Sequence, residues 1–292
     1  MAWYTIHSDG MGLRDSEGSN LVEVIGDRNR IDAAYGDDIV YVHGNSNYVD
    51  GGTGDDRINT TGDNNYYYGK SGADHIYNRG NNNLINSGDD NDLVKEWGDG
   101  NRIYAGSGND EVFVEDDNNT IRGESGNDEI NITGNNNQAK GDAGDDIIAV
   151  SGSGNIITGD DGEDTITVTG NQNTVDGGTG NDTIKADGTG NILNGGSGDD
   201  TLIGGNGENT LVGGTGYDHY IHEMGTGVDT IINSGDEGDV LEIIAPKGEP
   251  FGAMMLADAE IKATKTDNGT LMRLDIMAGE VLMSSIVIDL VN

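Results

Sequence analysis

The chain has 292 residues, among them 50 glycines, two prolines and no cysteine, and its 53 acidic against 15 basic side chains give a formal net charge of -38. Such a charge excludes nucleic acid as a partner and predicts self-repulsion in any compact state without counter-ions. No disulfide assists folding, and no apolar run reaches the roughly 18 residues of a transmembrane helix.

The opening MAWYTIHSDG lacks the basic and apolar regions of a secretory signal. Residues 1–14 are expected to form an N-terminal cap strand, with Trp3, Tyr4 and Ile6 on its apolar side. From Asp15 to about residue 230 the sequence repeats. An acid falls at Asp38, Asp56, Asp74, Asp92, Asp110, Asp128, Asp146, Asp164, Asp182, Asp200 and Asp218, each 18 residues after the last, and only Asn20, one period earlier, breaks the column. Nine residues after each acid up to Asp200 stands an asparagine: Asn47, Asn65, Asn83, Asn101, Asn119, Asn137, Asn155, Asn173, Asn191 and Asn209, with Asn29 in the same column one period earlier. Two columns held in phase without an insertion indicate a solenoid with one coil per period.

Each coil contains two short strands. The first has apolar residues at alternate positions, as at Ile166 and Val168 or Ile130 and Ile132; the second carries one inward residue, as at Ile121, Ile157, Val175 and Leu193. Most turns that hold the acid are glycine-rich, and glycine at their first, second and fourth positions is expected to tolerate left-handed dihedrals. After Gly213 the period breaks down, and Pro246 and Pro250 follow. The alternation from Ala257 onward reads as three strands of an antiparallel cap. The domains expected are therefore 1–14, 15–230 and 231–292.

The complete turns GGTGDDRIN (51–59), GGTGNDTIK (177–185) and GGSGDDTLI (195–203) resemble the RTX, or haemolysin-type, calcium-binding nonapeptide GGxGxDxUx. The resemblance implies an all-β fold, a right-handed parallel β-roll (β-solenoid) with 18-residue coils and a small C-terminal cap. It also implies Ca2+ between turns of successive coils, held by the eleven aspartates from Asp38 to Asp218, with about ten ions along one edge. Calcium prefers hard oxygen ligands from carboxylates and backbone carbonyls, and such a turn supplies both. The asparagine turns, such as GNQN (170–173), lack the acid and are expected to form a hydrogen-bonded ladder without ions.

The same resemblance implies a secreted or cell-surface protein that folds on calcium outside the cell. Its final Asp289, Leu290 and Val291 suit an uncleaved signal for type I export machinery. No enzyme is expected, because His7, His43, His75, His219 and His222 are scattered and no Ser/His/Asp set emerges by spacing. Three alternatives stay open: a module of a larger exoprotein, a polysaccharide-binding module similar to alginate-epimerase repeats, or a segment similar in period to ice-binding adhesins. Against the last, the third turn position (Thr53, Ser71, Asp89, Ser107, Ser125, Ala143) is no regular row of threonines. For the second, the outward positions of the second strand gather Tyr48, Tyr66, Tyr68, Arg102, Tyr104 and Arg122 as a face for an acidic polysaccharide or a cell surface.

Overall fold

Eighteen residues accommodate two strands of five or six residues and two tight turns, so each coil returns to its starting point one rung along. The computed structural model describes residues 2–14, 18–223, 227–233 and 239–244, and the strands Ala259–Lys265, Leu271–Ala278 and Val281–Leu290. Asp15, Pro246, Pro250 and Val291, used above to mark the start and end of the roll and an export signal, lie outside the described residues. The protein is an all-β parallel solenoid, and it divides into two compact units, Met1–Val150 and Ser151–Asn292.

In the first unit one parallel sheet runs from Ala2–Ile6 through Asn20–Ile25, Ile39–His43, Arg57–Thr61, His75–Arg79 and Leu93–Trp97 to Glu129–Thr133. The other runs from Gly12–Arg14 through Arg30–Asp32, Tyr48–Thr53 and Tyr66–Ser71 to Gln138–Ala143. Paired strand residues stand 18 positions apart, as in Val22↔Val40, Val40↔Ile58 and Ile58↔Ile76. Residues 2–14 obey the same register, Trp3 opposite Leu21 and Leu13 opposite Ile31, so they add a rung to both sheets; Trp3 stays 71% exposed.

In the second unit Thr165–Thr169, Thr183–Asp187, Thr201–Ile203, His219–Glu223 and Val240–Ile244 form one sheet. Ile156–Asp161, Thr174–Thr179, Ile192–Ser197, Thr210–Thr215 and Val228–Asn233 form the other. The last of these pairs in parallel with Val281–Leu290, which continues antiparallel to Leu271–Ala278 and then Ala259–Lys265, giving the three-stranded cap expected from the alternation.

The core is a set of stacked columns of small and medium apolar side chains. Ile130, Ile166, Val168, Ile121, Val175 and Leu193 are completely buried, and each contributes on the order of 1.5–3 kcal/mol. One column is interrupted. Between Val42 and Val114 the inward positions hold Thr60, Asn78 and Glu96, all buried. Thr60 Oγ1 donates to Asn78 Oδ1 (2.6 Å), and Asn78 Nδ2 donates to Glu96 Oε2 (2.7 Å). Asn101 Nδ2 also donates to Glu96 Oε1 (2.8 Å). Burial raises the Glu96 carboxyl well above the ordinary glutamate range, against the amide donation from Asn78.

Candidate metal edge and sheet faces

The aspartate column lies inside the roll. Asp56, Asp74, Asp110 and Asp128 in the first unit and Asp182 and Asp200 in the second are buried. In each case Oδ1 accepts the backbone N–H of the column member one coil before: Asp38 to Asp56, Asp56 to Asp74 and Asp110 to Asp128, all at 2.8 Å, and Asp164 to Asp182 at 2.8 Å. The second carboxylate oxygen of these six residues is buried and accepts no hydrogen bond among the described residues.

This geometry explains the first glycine of the turn, and the reason differs from the one expected. Gly177 has an ordinary φ, but a Cβ there would sit 2.2 Å from Asp182 Oδ2 and 2.4 Å from Gly195 O, so the carboxylate and the carbonyl of the next coil leave it no room. Left-handed backbone begins one residue later: Gly178 and Gly180 have φ of 112° and 123°, and L side chains rarely adopt such angles.

Burial sets the electrostatics. Desolvation raises Asp56, Asp74 and Asp92 to about 8, Asp128 and Asp200 to about 7, and Asp110 and Asp146 to about 6, with nearby acids adding repulsion. A row of such carboxylates needs either protons or cations. Among the described residues no three His, Cys, Asp or Glu side chains converge, so a cation here would take carboxylates from the column and complete its shell with backbone carbonyls, a donor set suited to Ca2+.

The asparagine column is the same ladder with a neutral group. Asn65 donates from its backbone to Asn83 Oδ1 (2.8 Å) and Asn173 to Asn191 Oδ1 (2.9 Å). Here the second side-chain atom is a donor. In the second unit it finds acceptors, as Asn173 Nδ2 does in Gly152 O (3.0 Å) and Asn191 Oδ1 (3.1 Å), whereas in the first unit Asn29, Asn47, Asn83 and Asn119 Nδ2 are buried with no acceptor among the described residues.

Three features of the ladders escaped the sequence reading. Asn20, the break in the acid column, makes the column's bond, accepting from Ala2 N at 3.0 Å. Asp239 and Asp229 prolong the two ladders, accepting from Asp218 N (3.0 Å) and Asn209 N (3.1 Å); spacings of 21 and 20 residues hid them from an 18-residue count. An outer ladder flanks each inner one and runs the opposite way: Asn127 N donates back to Asn109 Oδ1 (2.9 Å), and Asp99 N back to Asn81 Oδ1 (2.8 Å).

The histidines do not converge. His222 Nδ1 lies 2.9 Å from Asp229 Oδ2, with both side chains sealed at 1% exposure, and His219 pairs with Glu242 at 3.1 Å. The six aromatic and basic residues expected as a face do share the outward side of one sheet. Tyr48 and Tyr68 lie with ring centroids 5.2 Å apart, and Arg30 sits 4.1 Å above Tyr48. Tyr66 is 50% exposed. The same side carries acids, however, and Arg122 is engaged twice by Asp142, at 2.6 and 2.8 Å.

The fold and the stacked turns define a parallel β-solenoid whose edges are ladders of Asp and Asn. The RTX calcium-binding nonapeptide repeat matches it four times, over residues 25–58, 59–94, 98–130 and 185–220, and the chain belongs to that family. A family described as a protein of unknown function (DUF3060) matches residues 146–190. No curated protein matches the chain. Among solved structures it is similar to a hyperactive, Ca2+-dependent, β-helical antifreeze protein from an Antarctic bacterium, at 22% identity over 85% of this chain and 81% of that one, with a TM-score of 0.49. Among the described residues no helix is long and apolar enough to cross a membrane.

Proposed function

We propose that the protein is an extracellular, non-enzymatic binding protein whose coils are locked by Ca2+ along the aspartate edge. The observation that carries this reading is the contrast between two ladders of one geometry. On the asparagine edge the second side-chain atom is a neutral amide donor, which reaches turn carbonyls at some coils and lacks a partner at others, so no charge is buried there. On the aspartate edge it is a buried acceptor, and six such oxygens accept nothing. A divalent ion between neighbouring coils supplies the missing positive charge and offsets a desolvation that otherwise costs several kcal/mol per carboxylate.

The residues that would hold the ions are the eleven aspartates from Asp38 to Asp218, with about ten ions if each lies between two consecutive turns. Bound calcium supplies charge neutralisation and cross-linking between coils, and folding and binding become one equilibrium. Affinities of about 10⁻⁴–10⁻³ M are usual for extracellular modules, which suits a chain that stays unfolded where calcium is scarce and folds where it is abundant. Far-UV circular dichroism and small-angle scattering in chelator and in millimolar calcium test this directly. The expected result is an expanded, strand-poor chain in chelator and a cooperative gain of strand signal with calcium; full strand content and compactness in chelator would overturn the proposal.

A further inference from the structure

We infer that the outward face of the strands Ile39–His43, Arg57–Thr61, His75–Arg79 and Leu93–Trp97 is a binding site for an acidic oligosaccharide laid across the coils. This site lies on the sheet opposite the tyrosine face. The inference rests on the proposed role as a calcium-folded binding protein and names its ligand class and site.

The first observation is charge. In a chain of net charge -38, none of the outward residues of these four strands is an acid, and three of them, Arg57, Arg79 and Lys95, are cations. The patch has acidic borders, with Glu23 one coil before and Glu111 and Glu115 one coil after. Among the described residues none of the three cations forms an ion pair. Each rests on an aromatic ring instead: Arg57 on Tyr77 (4.9 Å), Arg79 on Trp97 (5.0 Å) and Lys95 on Phe113 (4.6 Å). A guanidinium lying over a ring keeps its in-plane N–H groups free for a carboxylate.

The second observation is spacing. Tyr41, Asn59, Tyr77, Lys95 and Phe113 stand in one cross-strand row, so an aromatic ring recurs at every second coil, about 10 Å apart for a coil rise of about 4.8 Å. An extended acidic oligosaccharide can lie along this row, its sugars against the exposed Tyr41 and over the short Asn59, while its carboxylates meet Arg57, Arg79 and Lys95 on their rings.

The third observation is relief. Because Asn59 is short, the row dips between Tyr41 and Tyr77 into a depression of about 260 Å³, which Trp97 and Arg79 close on one side. His43 and Thr61, hydrogen-bonded to each other at 2.9 Å, present polar atoms there for sugar hydroxyls. The dip is the size of a single sugar rather than of a peptide helix. Nucleic acid, with a charge every 1.7 Å or so of duplex, meets the long-range repulsion of the whole molecule.

The test uses the full chain folded in calcium, titrated calorimetrically with oligogalacturonate and alginate oligosaccharides, with neutral cello-oligosaccharides, poly-glutamate and single-stranded DNA as comparators. Acidic oligosaccharides should bind. Arg79→Ala with Trp97→Ala should weaken that binding about tenfold or more with unchanged calcium-dependent circular dichroism, whereas Tyr66→Ala with Arg102→Ala on the other sheet should leave it unchanged. Absence of binding by the folded chain, equal binding by the first double variant, or equal binding of poly-glutamate or DNA overturns the site. The parallel spectra keep the two ideas apart: a chain that folds in calcium without binding refutes the site alone, and one that folds and binds in chelator refutes the calcium lock alone.

Discussion

Replacing Asp128 by asparagine should change stability with opposite sign in the absence and presence of calcium. Asn keeps the oxygen that accepts the Asp110 N–H at 2.8 Å, so the turn stays capped. What changes is the second atom, from a buried acceptor without a hydrogen bond to a donor like those of the neighbouring edge. Burial raises the Asp128 carboxyl from 3.8 to about 7, and about three pH units at 1.36 kcal/mol each set an upper bound of about 4 kcal/mol on its charged form. In chelator at pH 8, with an osmolyte to bring the metal-free chain into its folding range, Asp128→Asn should therefore stabilise by about 2–4 kcal/mol. In saturating calcium the same change removes a ligand from ions on both sides. A site held at 100 times its Kd contributes about 2.7 kcal/mol, so a loss of about 1–3 kcal/mol is expected. Denaturant unfolding of both proteins under both conditions measures the four values. A destabilisation of equal size with and without calcium would show that the carboxylate is only a turn cap.

The raised aspartates also fix a pH dependence for the metal-free chain. Between pH 3.8 and the folded values of about 6 to 8 the folded state holds protons that the unfolded state has released, so stability rises on acidification from pH 8 to about 5; titration in chelator should show strand signal appearing, and its absence refutes the burial. Gly177→Ala should lose about 1–3 kcal/mol by overpacking against Asp182 Oδ2 and the Gly195 carbonyl of the next coil and weaken calcium affinity; unchanged melting and affinity would count against the inward carboxylate. In the core, Glu96→Val should cost about 3–5 kcal/mol because the amides of Asn78 and Asn101 lose their acceptor. The combined Thr60→Val, Asn78→Val and Glu96→Val restores the column between Val42 and Val114 and should recover most of that loss; a triple variant no more stable than the single one removes the network as the cause.

The period, the two strands per coil and the inner columns were legible because one residue type occupies each place: Asp from 38 to 218, Asn from 29 to 209. The outer ladders were not, because Asp, Asn and Ser all bring an acceptor to the same spot, as Asp117, Asn109 and Ser153 do for the backbones of Asn135, Asn127 and Asn171. The role of the first glycine was hidden for another reason. A sequence shows that Gly177 is small but not that Asp182 folds back over it. Glu96 within LVKEW reads as one more surface acid, and only the strand register turns it inward while Lys95 and Trp97 point out. The acid-free face was missed likewise, since Arg57, Arg79 and Lys95 come from three coils and three different surroundings in the chain, and only stacking makes them neighbours.

The opposed ladders give the solenoid a direction. Along the inner edge the buried N–H is capped by the coil that follows it, as Asp110 is by Asp128, whereas along the outer rim the exposed N–H is capped by the coil that precedes it, as Asn127 is by Asn109. Removing the last rung therefore leaves the remaining stack with an inner amide that has lost its acceptor, whereas removing the first leaves it with an outer amide that has lost one. The two ends are chemically unlike, much as the ends of a polar filament are.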